Sequence, residues 1–334
     1  SPPDNVIQYI TVANTGNATD FGDLTNGSRT ILGGCSDGTY GVMLAGNKGS
    51  ASSGTQADDR IMDRVTVQTA ANSTDHGDLV SDTFSSWQST SCAGTARGLH
   101  LSTTAPSGGS AYTQLEYFDI TTASNAANFG TLSSGNYAGA GVSDATRSVF
   151  GGATSGNNLE YVTPATLGNG TAFGDLTVNR DYAGGADNLT YGFFCGGEST
   201  GGSKQNVIDY ITIASTGNGT DFGDLTQARR GIAACGSDTR GVFGSGNTPS
   251  ASNVLDYITI ASTGNATDFG DLNSTAAGYK PAAASNLTRG LWAGCDNGPY
   301  NAEIDYVAIA TTGNASDFGD LTSDRAYAFA QSGT

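Results

Sequence analysis

Four copies of the sequence DFGD are the first candidates for chemistry in this chain of 334 residues, because their paired carboxylates could bind a cation. The copies begin at Asp20, Asp221, Asp268 and Asp317. Calcium takes six to eight oxygen ligands, and no DxDxDG loop accompanies the motif. The glycine-rich loop and the HRD segment that accompany the DFG magnesium loop of protein kinases are also missing. We therefore interpret each copy as a turn and expect neither a metal site nor a cofactor.

Asn-x-Ser/Thr sequences, the acceptors for N-linked glycans, stand just before most of these motifs. The other interpretation is that Asn and Thr form a turn and were copied together with the motif. Both interpretations stay open on the residues alone. The five candidate acceptors at this place are Asn17, Asn169, Asn218, Asn265 and Asn314.

Histidine and cysteine offer little for nucleophilic catalysis. Of the two histidines, His76 replaces the Phe of one FGDL motif, and no third, orienting group stands beside His100. No two of the five cysteines lie closer than forty residues, so neither a zinc site nor a disulfide framework is indicated. Cys35 and Cys235 stand where related segments have Ala or Val, which indicates packing. We expect five free thiols and no catalytic residue; the other cysteines are Cys92, Cys195 and Cys295.

The composition excludes several classes of partner. Fourteen Lys and Arg against 31 Asp and Glu give a net charge of −17, which leaves few cations to neutralise nucleic-acid phosphates or anionic lipid. No run of about 18 apolar residues exists, so we expect no membrane insertion. The 49 glycines favour turns and strands over helix. Because the chain begins Ser-Pro-Pro without Met, we expect a processed protein or a piece of a longer one.

The DFGD motif belongs to an internal repeat. FGDL or a close variant recurs seven times at intervals of 44 to 55 residues. A Tyr-bearing strand precedes each copy, as in Val207 to Ala214, and two apolar strands follow, as in Arg229 to Cys235 and Thr239 to Gly246. Four strands in about 50 residues make one blade of a β-propeller. The seven copies begin at Phe21, His76, Phe129, Phe173, Phe222, Phe269 and Phe318.

The strands do not divide evenly among the repeats. The apolar strand that ends in Gly-Gly occurs six times, whereas the other three strands occur seven times. We predict an all-β, seven-bladed propeller that forms a single domain over residues 1–334. Its ring closes by pairing the N-terminal run Val6 to Ala13 with the C-terminal run Arg325 to Gln331 in one blade. That blade would lack a strand, which further chain or a neighbouring subunit would supply.

An arginine recurs at the start of the second strand of most blades. Such a ring could line one mouth of a central channel and attract anions. We favour a structural role instead, in which each guanidinium bonds carbonyls or an Asp of the adjacent blade. These residues are Arg97, Arg147, Arg240 and Arg289, and Tyr40 and Tyr191 stand in the same place in two other repeats.

The repeat resembles the kelch family. Kelch blades carry an Arg near the first strand, an apolar run into Gly-Gly, a Tyr-bearing third strand, and then an aromatic residue and a Leu. Arg230, the run ending at Gly244, Tyr257, Phe269 and Leu272 stand in those places, although Phe replaces the usual Trp. The repeats are also similar to those in virion proteins of aquatic bacteriophages, over essentially the whole chain. A phage setting would favour the turn interpretation of the Asn-x-Ser/Thr sequences.

The resemblance implies a kelch-like propeller at the virion surface or in the extracellular space. We predict a non-enzymatic structural and adhesive display module of a tail fibre or similar appendage. Its partners would be other subunits of the assembly and a host-surface glycan, bound through the most variable loops: Asn47 to Asp59, Thr103 to Tyr112 and Gly197 to Gln205. Two alternatives stay open: a glycosylated fibre subunit that polymerises through its incomplete blade, and a propeller glycosidase or lyase with an Asp/Glu cleft.

Overall fold

A computed structural model describes residues 5–25, 27, 33–44, 60–80, 90–93, 96–101, 113–133, 139–152, 156–273, 281–294, 301–325 and 330. These residues form an all-β propeller of 26 strands in seven antiparallel sheets, without a helix. The described part of the chain accordingly has no helix of membrane-spanning length. Of the predicted variable loops, 47–59 and 103–112 lie outside the described residues, and 197–205 lies within them.

The sheets follow one another along the chain, and we number them in that order. Sheet 1 pairs β1 (Val6–Tyr9) with β2 (Thr19–Asp23). Sheet 2 contains β3 (Gly33–Ser36), β4 (Tyr40–Leu44), β5 (Ile61–Thr66) and β6 (Thr74–Asp78), and sheet 3 contains β7 (Thr90–Ala93), β8 (Arg97–Leu101), β9 (Gln114–Asp119) and β10 (Ala127–Thr131). Sheet 4 contains β11 (Ala140–Ser143), β12 (Ser148–Gly151), β13 (Asn158–Val162) and β14 (Thr171–Asp175).

The remaining three sheets repeat the same four-stranded meander. Sheet 5 contains β15 (Gly184–Asp187), β16 (Tyr191–Cys195), β17 (Val207–Thr212) and β18 (Thr220–Asp224). Sheet 6 contains β19 (Ala233–Gly236), β20 (Arg240–Gly244), β21 (Val254–Thr259) and β22 (Thr267–Asp271). Sheet 7 contains β23 (Ala282–Ser285), β24 (Arg289–Ala293), β25 (Asn301–Ala308) and β26 (Ser316–Arg325). The six four-stranded sheets are the complete blades.

The Phe and Leu of the FGDL motif are buried where consecutive sheets pack, as the sequence predicts, except that Leu321 of the last copy is only partly buried. Phe222 is 3% exposed and contacts the cluster formed by Phe193 and Ile208 of sheet 5 with Phe243 and Ile258 of sheet 6. Six of the seven motifs place Phe edge-on to the third-strand Tyr of the same sheet, with ring centroids 5.6 to 6.0 Å apart. The motif is therefore a hydrophobic plug between sheets.

The glycine of FGDL allows two sheets to approach closely. In sheet 5 a bulge places Phe222 between two paired residues, and the next residue, Gly223, has φ = +144°. A Cβ on Gly223 would lie 2.4 Å from the carbonyl of Gly264 in sheet 6. Gly319 of sheet 7 faces Gly16 beside sheet 1 in the same way, at 2.5 Å. A side chain at either place would require the neighbouring backbone to move.

Three hydrogen bonds accompany this close approach. Between sheets 5 and 6, Gly264 N–H donates to Phe222 O (2.7 Å), Ala266 N–H to Asp224 O (2.8 Å), and Asp224 N–H to Asn265 Oδ1 (3.1 Å). The first and last sheets make the same set. Gly16 N–H donates to Phe318 O (2.7 Å), Ala18 N–H to Asp320 O (2.7 Å), and Asp320 N–H to Asn17 Oδ1 (3.1 Å).

The chain ends are where sequence and structure differ. The N-terminal run was expected over residues 6–13, but β1 ends at Tyr9 and a turn follows at residues 12–13. At the other end, β26 continues through Arg325, which pairs with Asn301 of sheet 7. The expected closing strand over residues 325–331 lies outside the described residues, except for Arg325 and Ala330.

Candidate functional site

A carboxylate on the third strand joins each complete blade to the sheet before it. In sheet 6, Asp256 is fully buried and accepts a hydrogen bond from the Thr226 hydroxyl, which follows FGDL in sheet 5 (2.5 Å). In each of the six complete blades, the residue that follows the FGDL motif of the preceding sheet donates an equivalent hydrogen bond to the carboxylate. In sheet 1 the neutral Gln8 stands at this place, and Thr322 N–H donates to its Oε1 (2.7 Å). The six carboxylates are Asp63, Glu116, Glu160, Asp209, Asp256 and Asp305.

Within the described residues, two of these carboxylates form buried ion pairs. Arg229 lies 2.7 Å from Asp256, Arg180 contacts Asp209, and all four side chains are fully buried. Arg229 also donates to Val254 O (2.8 Å), and its buried Nε has no hydrogen-bond partner among the described residues. Burial lowers the pKa of both arginines, opposed by the facing carboxylates, and raises the pKa of Asp256, opposed by Arg229.

Asp305 of sheet 7 has a different partner. Asn273 donates to it from its backbone N–H (2.8 Å) and from its side-chain amide. Burial raises the pKa of Asp305 to about 6, and the amide bonds oppose that shift only in part. The sequence analysis missed this whole series, because an acid in an otherwise apolar strand also fits a half-buried strand whose polar side chains face solvent. The signal was present: an Asp, Glu or Gln stands directly before the Tyr or its substitute in every repeat.

The recurring arginines have the structural role that the sequence favours. Arg240 lies over the Tyr257 ring at 4.6 Å and donates to Ile309 O in the next sheet (3.0 Å). Arg97, Arg147 and Arg289 make the same pair of contacts. The acceptor for Arg289 is Val12 O, beside sheet 1 (2.8 Å). These guanidiniums therefore brace adjacent sheets.

The five candidate glycosylation sites are exposed and have a common backbone contact. Asn17, Asn169, Asn218, Asn265 and Asn314 each accept, through Oδ1, the N–H of the residue after the motif glycine in the preceding sheet. Asn125 makes the same bond to Asp78 N–H without a following Ser or Thr. The turn interpretation explains these asparagines, and their glycosylation stays a prediction.

The cysteines and histidines whose side chains the structure describes are all buried in the protein interior. Cys35, Cys195 and Cys235 are free and buried, and burial raises the pKa of Cys35 to about 12. The side chains of Cys92 and Cys295 lie outside the described residues. His76 Nε2 lies 2.8 Å from Asp119 O. His100 is fully buried, which lowers its pKa to about 4.

One group of polar side chains lies where the 197–205 loop meets the segments before β15 and β19. We name it the loop cluster: Asp181, Tyr182, Glu198, Lys204 and Arg230. Backbone bonds of 2.8 Å in both directions join Asp181 to Glu198. Lys204 Nζ lies 3.1 Å from Glu198 Oε2, and Arg230 bonds the same oxygen. The Arg230 guanidinium also lies 5.1 Å from the centre of the Tyr182 ring.

Two members of the loop cluster are held at an energetic cost. Burial and the charge of Glu198 raise the pKa of Asp181 to about 6, and its buried Oδ1 has no hydrogen-bond partner among the described residues. Tyr182 has φ = +53°, a left-handed conformation that costs a non-glycine residue about 1–2 kcal/mol. Such costs are concentrated at functional sites, which makes this cluster the candidate binding site.

Sheet 6 offers a matched region without the cluster. Its loop makes the corresponding backbone bridges, in which Arg230, Asn247 and Ala251 take the places of Asp181, Glu198 and Lys204. The backbone framework is thus common to both loops, but the sheet 6 loop has the uncharged Asn247 and Ala251 at the places of Glu198 and Lys204. Across the described residues, no group of three or more His, Cys, Asp or Glu has the geometry of a metal site.

Comparisons with protein families and with curated protein sequences give no match to this chain.

Proposed function

We propose that the seven sheets close into a seven-bladed, kelch-like ring. The contacts between sheets 7 and 1 support it, because they repeat those between sheets 5 and 6 in partners and in length. The bond from Thr322 to Gln8 supports it as well, since it repeats the carboxylate bond at the other six places. The count of seven strand repeats agrees with this number of blades.

Arg325 supports a closing blade shared by both chain ends. Arg229 precedes the first strand of sheet 6 and donates to Val254 O, at the start of the third strand of that sheet (2.8 Å). Arg325 donates in the same way to Val6 O, at the start of β1 (3.2 Å). By this correspondence, Arg325 stands at the entry of a first strand that belongs with sheet 1.

For the ring as a whole we propose a non-enzymatic display module of a virion appendage, outside the cell and beside other subunits of its assembly. The virion setting rests on the resemblance of the repeats. Rigidity is supported by the buried carboxylates and their arginines, which fix one sheet against the next. Such a platform holds its loops in fixed positions, which suits adhesion.

The loop cluster is the observation that carries the proposed binding of a host-surface glycan. Carboxylates accept hydrogen bonds from sugar hydroxyls, Lys and Arg donate to ring and glycosidic oxygens, and Tyr provides an apolar face. Glu198 is paired with two cations, which suits it to binding rather than to acid–base catalysis, since that needs a carboxylate free to exchange its proton. A net charge of −17 disfavours strongly anionic glycans.

Binding of the purified chain to an array of bacterial surface oligosaccharides tests this proposal. We expect the double variant Glu198→Gln, Lys204→Ala to reduce binding at least tenfold. The matched control is Asn247→Ala in the corresponding loop of sheet 6, which should bind like the wild type. Binding that the double variant retains in full, or an array without any bound glycan, would contradict the proposal.

A further inference from the structure

A concave surface lies at the opposite end of the sheets from the loop cluster, where the hairpin turns are. It is a shallow cleft of about 320 Å³ between sheets 6 and 7. The volume is at the lower end of the roughly 300–1,000 Å³ found for small-molecule sites. The cleft is lined by Ser237, Asp238, Thr239, Arg240, Leu287 and Ala310.

The wall from sheet 6 is polar and firmly held. Ser237 Oγ accepts the N–H groups of Thr239 (3.4 Å) and Arg240 (3.3 Å), which fixes the turn. Arg240 is oriented by Ile309 O and by the Tyr257 ring. Asp238 and Thr239 are exposed at the tip of this turn. The wall therefore presents a carboxylate, hydroxyls and a guanidinium within one turn.

The opposite wall is apolar. Leu287 stands at the tip of the β23–β24 turn, 68% exposed, and Ala310 is exposed beside it. Leu189 occupies the same tip in sheet 5, is 69% exposed, and adopts φ = +66°. Gly38 has a comparable conformation in sheet 2 (φ = +86°), where it costs little. Two tips thus carry a leucine that contributes little to the core, and one of them is also strained.

We infer that the cleft between sheets 6 and 7 binds one ring of a neutral pyranose sugar. A pyranose has an aliphatic C–H face and a rim of hydroxyls, which match the Leu287 wall and the Asp238–Arg240 wall respectively. The strongly negative protein selects against a charged, anionic sugar. This inference rests on the proposed glycan-binding function and adds a second site on the other face of the ring.

The chain itself provides a suitable variant. Asp238 is the residue of the sheet 6 turn that corresponds to Leu189 and Leu287, so Leu287→Asp reproduces a turn that the fold already contains. Because Leu287 is mostly exposed, the melting temperature should stay within about 2 °C of the wild type. Leu189→Asp, the same substitution at the equivalent tip of sheet 5 and outside the cleft, is the matched control.

Saturation-transfer NMR with methyl α-D-glucopyranoside, methyl α-D-mannopyranoside and methyl β-D-galactopyranoside is the experiment. We expect transfer to the ring C–H protons of at least one sugar, a loss of at least fivefold in Leu287→Asp, and no loss in Leu189→Asp. Transfer that Leu287→Asp leaves unchanged, or that Leu189→Asp lowers as much as Leu287→Asp does, would overturn the cleft and leave the proposed function in place. No transfer to any of the three sugars would also overturn the cleft, while the glycan array decides the proposed function separately.

Discussion

Sheets 6 and 7 place an aspartate at the same point of the third strand and surround it differently. Asp256 meets the buried guanidinium of Arg229, whereas Asp305 meets the amide of Asn273. Sheet 1 goes one step further, because Gln8 carries no charge at all. What all three share is a hydrogen-bond acceptor for the residue after the preceding FGDL. The junction between sheets therefore depends on the acceptor, and the ion pair is one way to satisfy it.

The largest effect is expected when the junction around sheet 1 is removed altogether. Deleting residues 1–13 eliminates β1, Gln8 and the carbonyls that accept from Arg289 and Arg325. We expect a loss that is a large part of the ~5–15 kcal/mol typical of a domain, seen as a lower melting temperature. Trimming the loop 47–59 is the control and should cost far less. Equal losses from the two deletions would contradict this role of the N-terminal residues.

Breaking the ion pair of sheet 6 should have the second-largest effect on stability. Arg229→Met leaves Asp256 buried without its cation, which typically costs about 3–5 kcal/mol in the free energy of unfolding measured with urea. Adding Asp256→Asn leaves a neutral acceptor for Thr226, as Gln8 is for Thr322 in sheet 1, and should recover most of that loss. If Arg229→Met costs less than about 1 kcal/mol, the interior of sheet 6 does not depend on the pair.

Asp305→Asn tests the contribution of the Asp305 carboxyl group through the pH dependence of stability. The raised pKa of Asp305, about 6, means that its stabilisation is complete below the unfolded value near 3.8 and is lost as the pH rises through 6. Wild type should therefore lose about 1–2 kcal/mol more than Asp305→Asn between pH 4.5 and 7.5. Urea unfolding of both chains across this range measures the difference. Parallel curves for the two proteins would show that Asp305 does not titrate as described.

The smallest effect concerns Gln8. Gln8→Ala removes the acceptor for Thr322 N–H and should cost about 1 kcal/mol. Gln8→Glu keeps an acceptor, like Glu116 and Glu160, and should unfold within about 0.5 kcal/mol of the wild type. Equal destabilisation by both substitutions would mean that the charge, rather than the acceptor, governs this junction.

Much of the fold follows from local patterns in the sequence. The motif Phe and Leu were predictable as buried plugs, since seven copies at a blade-length spacing must pack against something. The buried acids were not, because a period of two cannot distinguish a solvent-facing Asp from one that faces a neighbouring sheet. Asp256 lies on a strand covered on both sides, where the usual polar-out rule fails.

The candidate site was predictable only in outline. Loop variability pointed to residues 197–205 as one of three candidate loops, and Glu198 and Lys204 lie there. Asp181 and Arg230 come from other segments, and only the fold brings them to that loop. The kelch resemblance singled out Arg230 as the first-strand arginine, whereas its neighbour Arg229 is the buried one. Adjacent arginines cannot be assigned to interior and surface without the path of the backbone.

Native-state hydrogen exchange at the junction of sheets 7 and 1 tests the closed ring most directly. The amides of Gly16, Ala18 and Asp320 correspond to those of Gly264, Ala266 and Asp224 between sheets 5 and 6. A closed ring predicts protection factors that agree within about tenfold between the two sets of amides. The reason is that each set exchanges only when the two neighbouring sheets separate. Exchange of Gly16, Ala18 and Asp320 at the rate of exposed loops, with the other three amides still protected, would contradict closure.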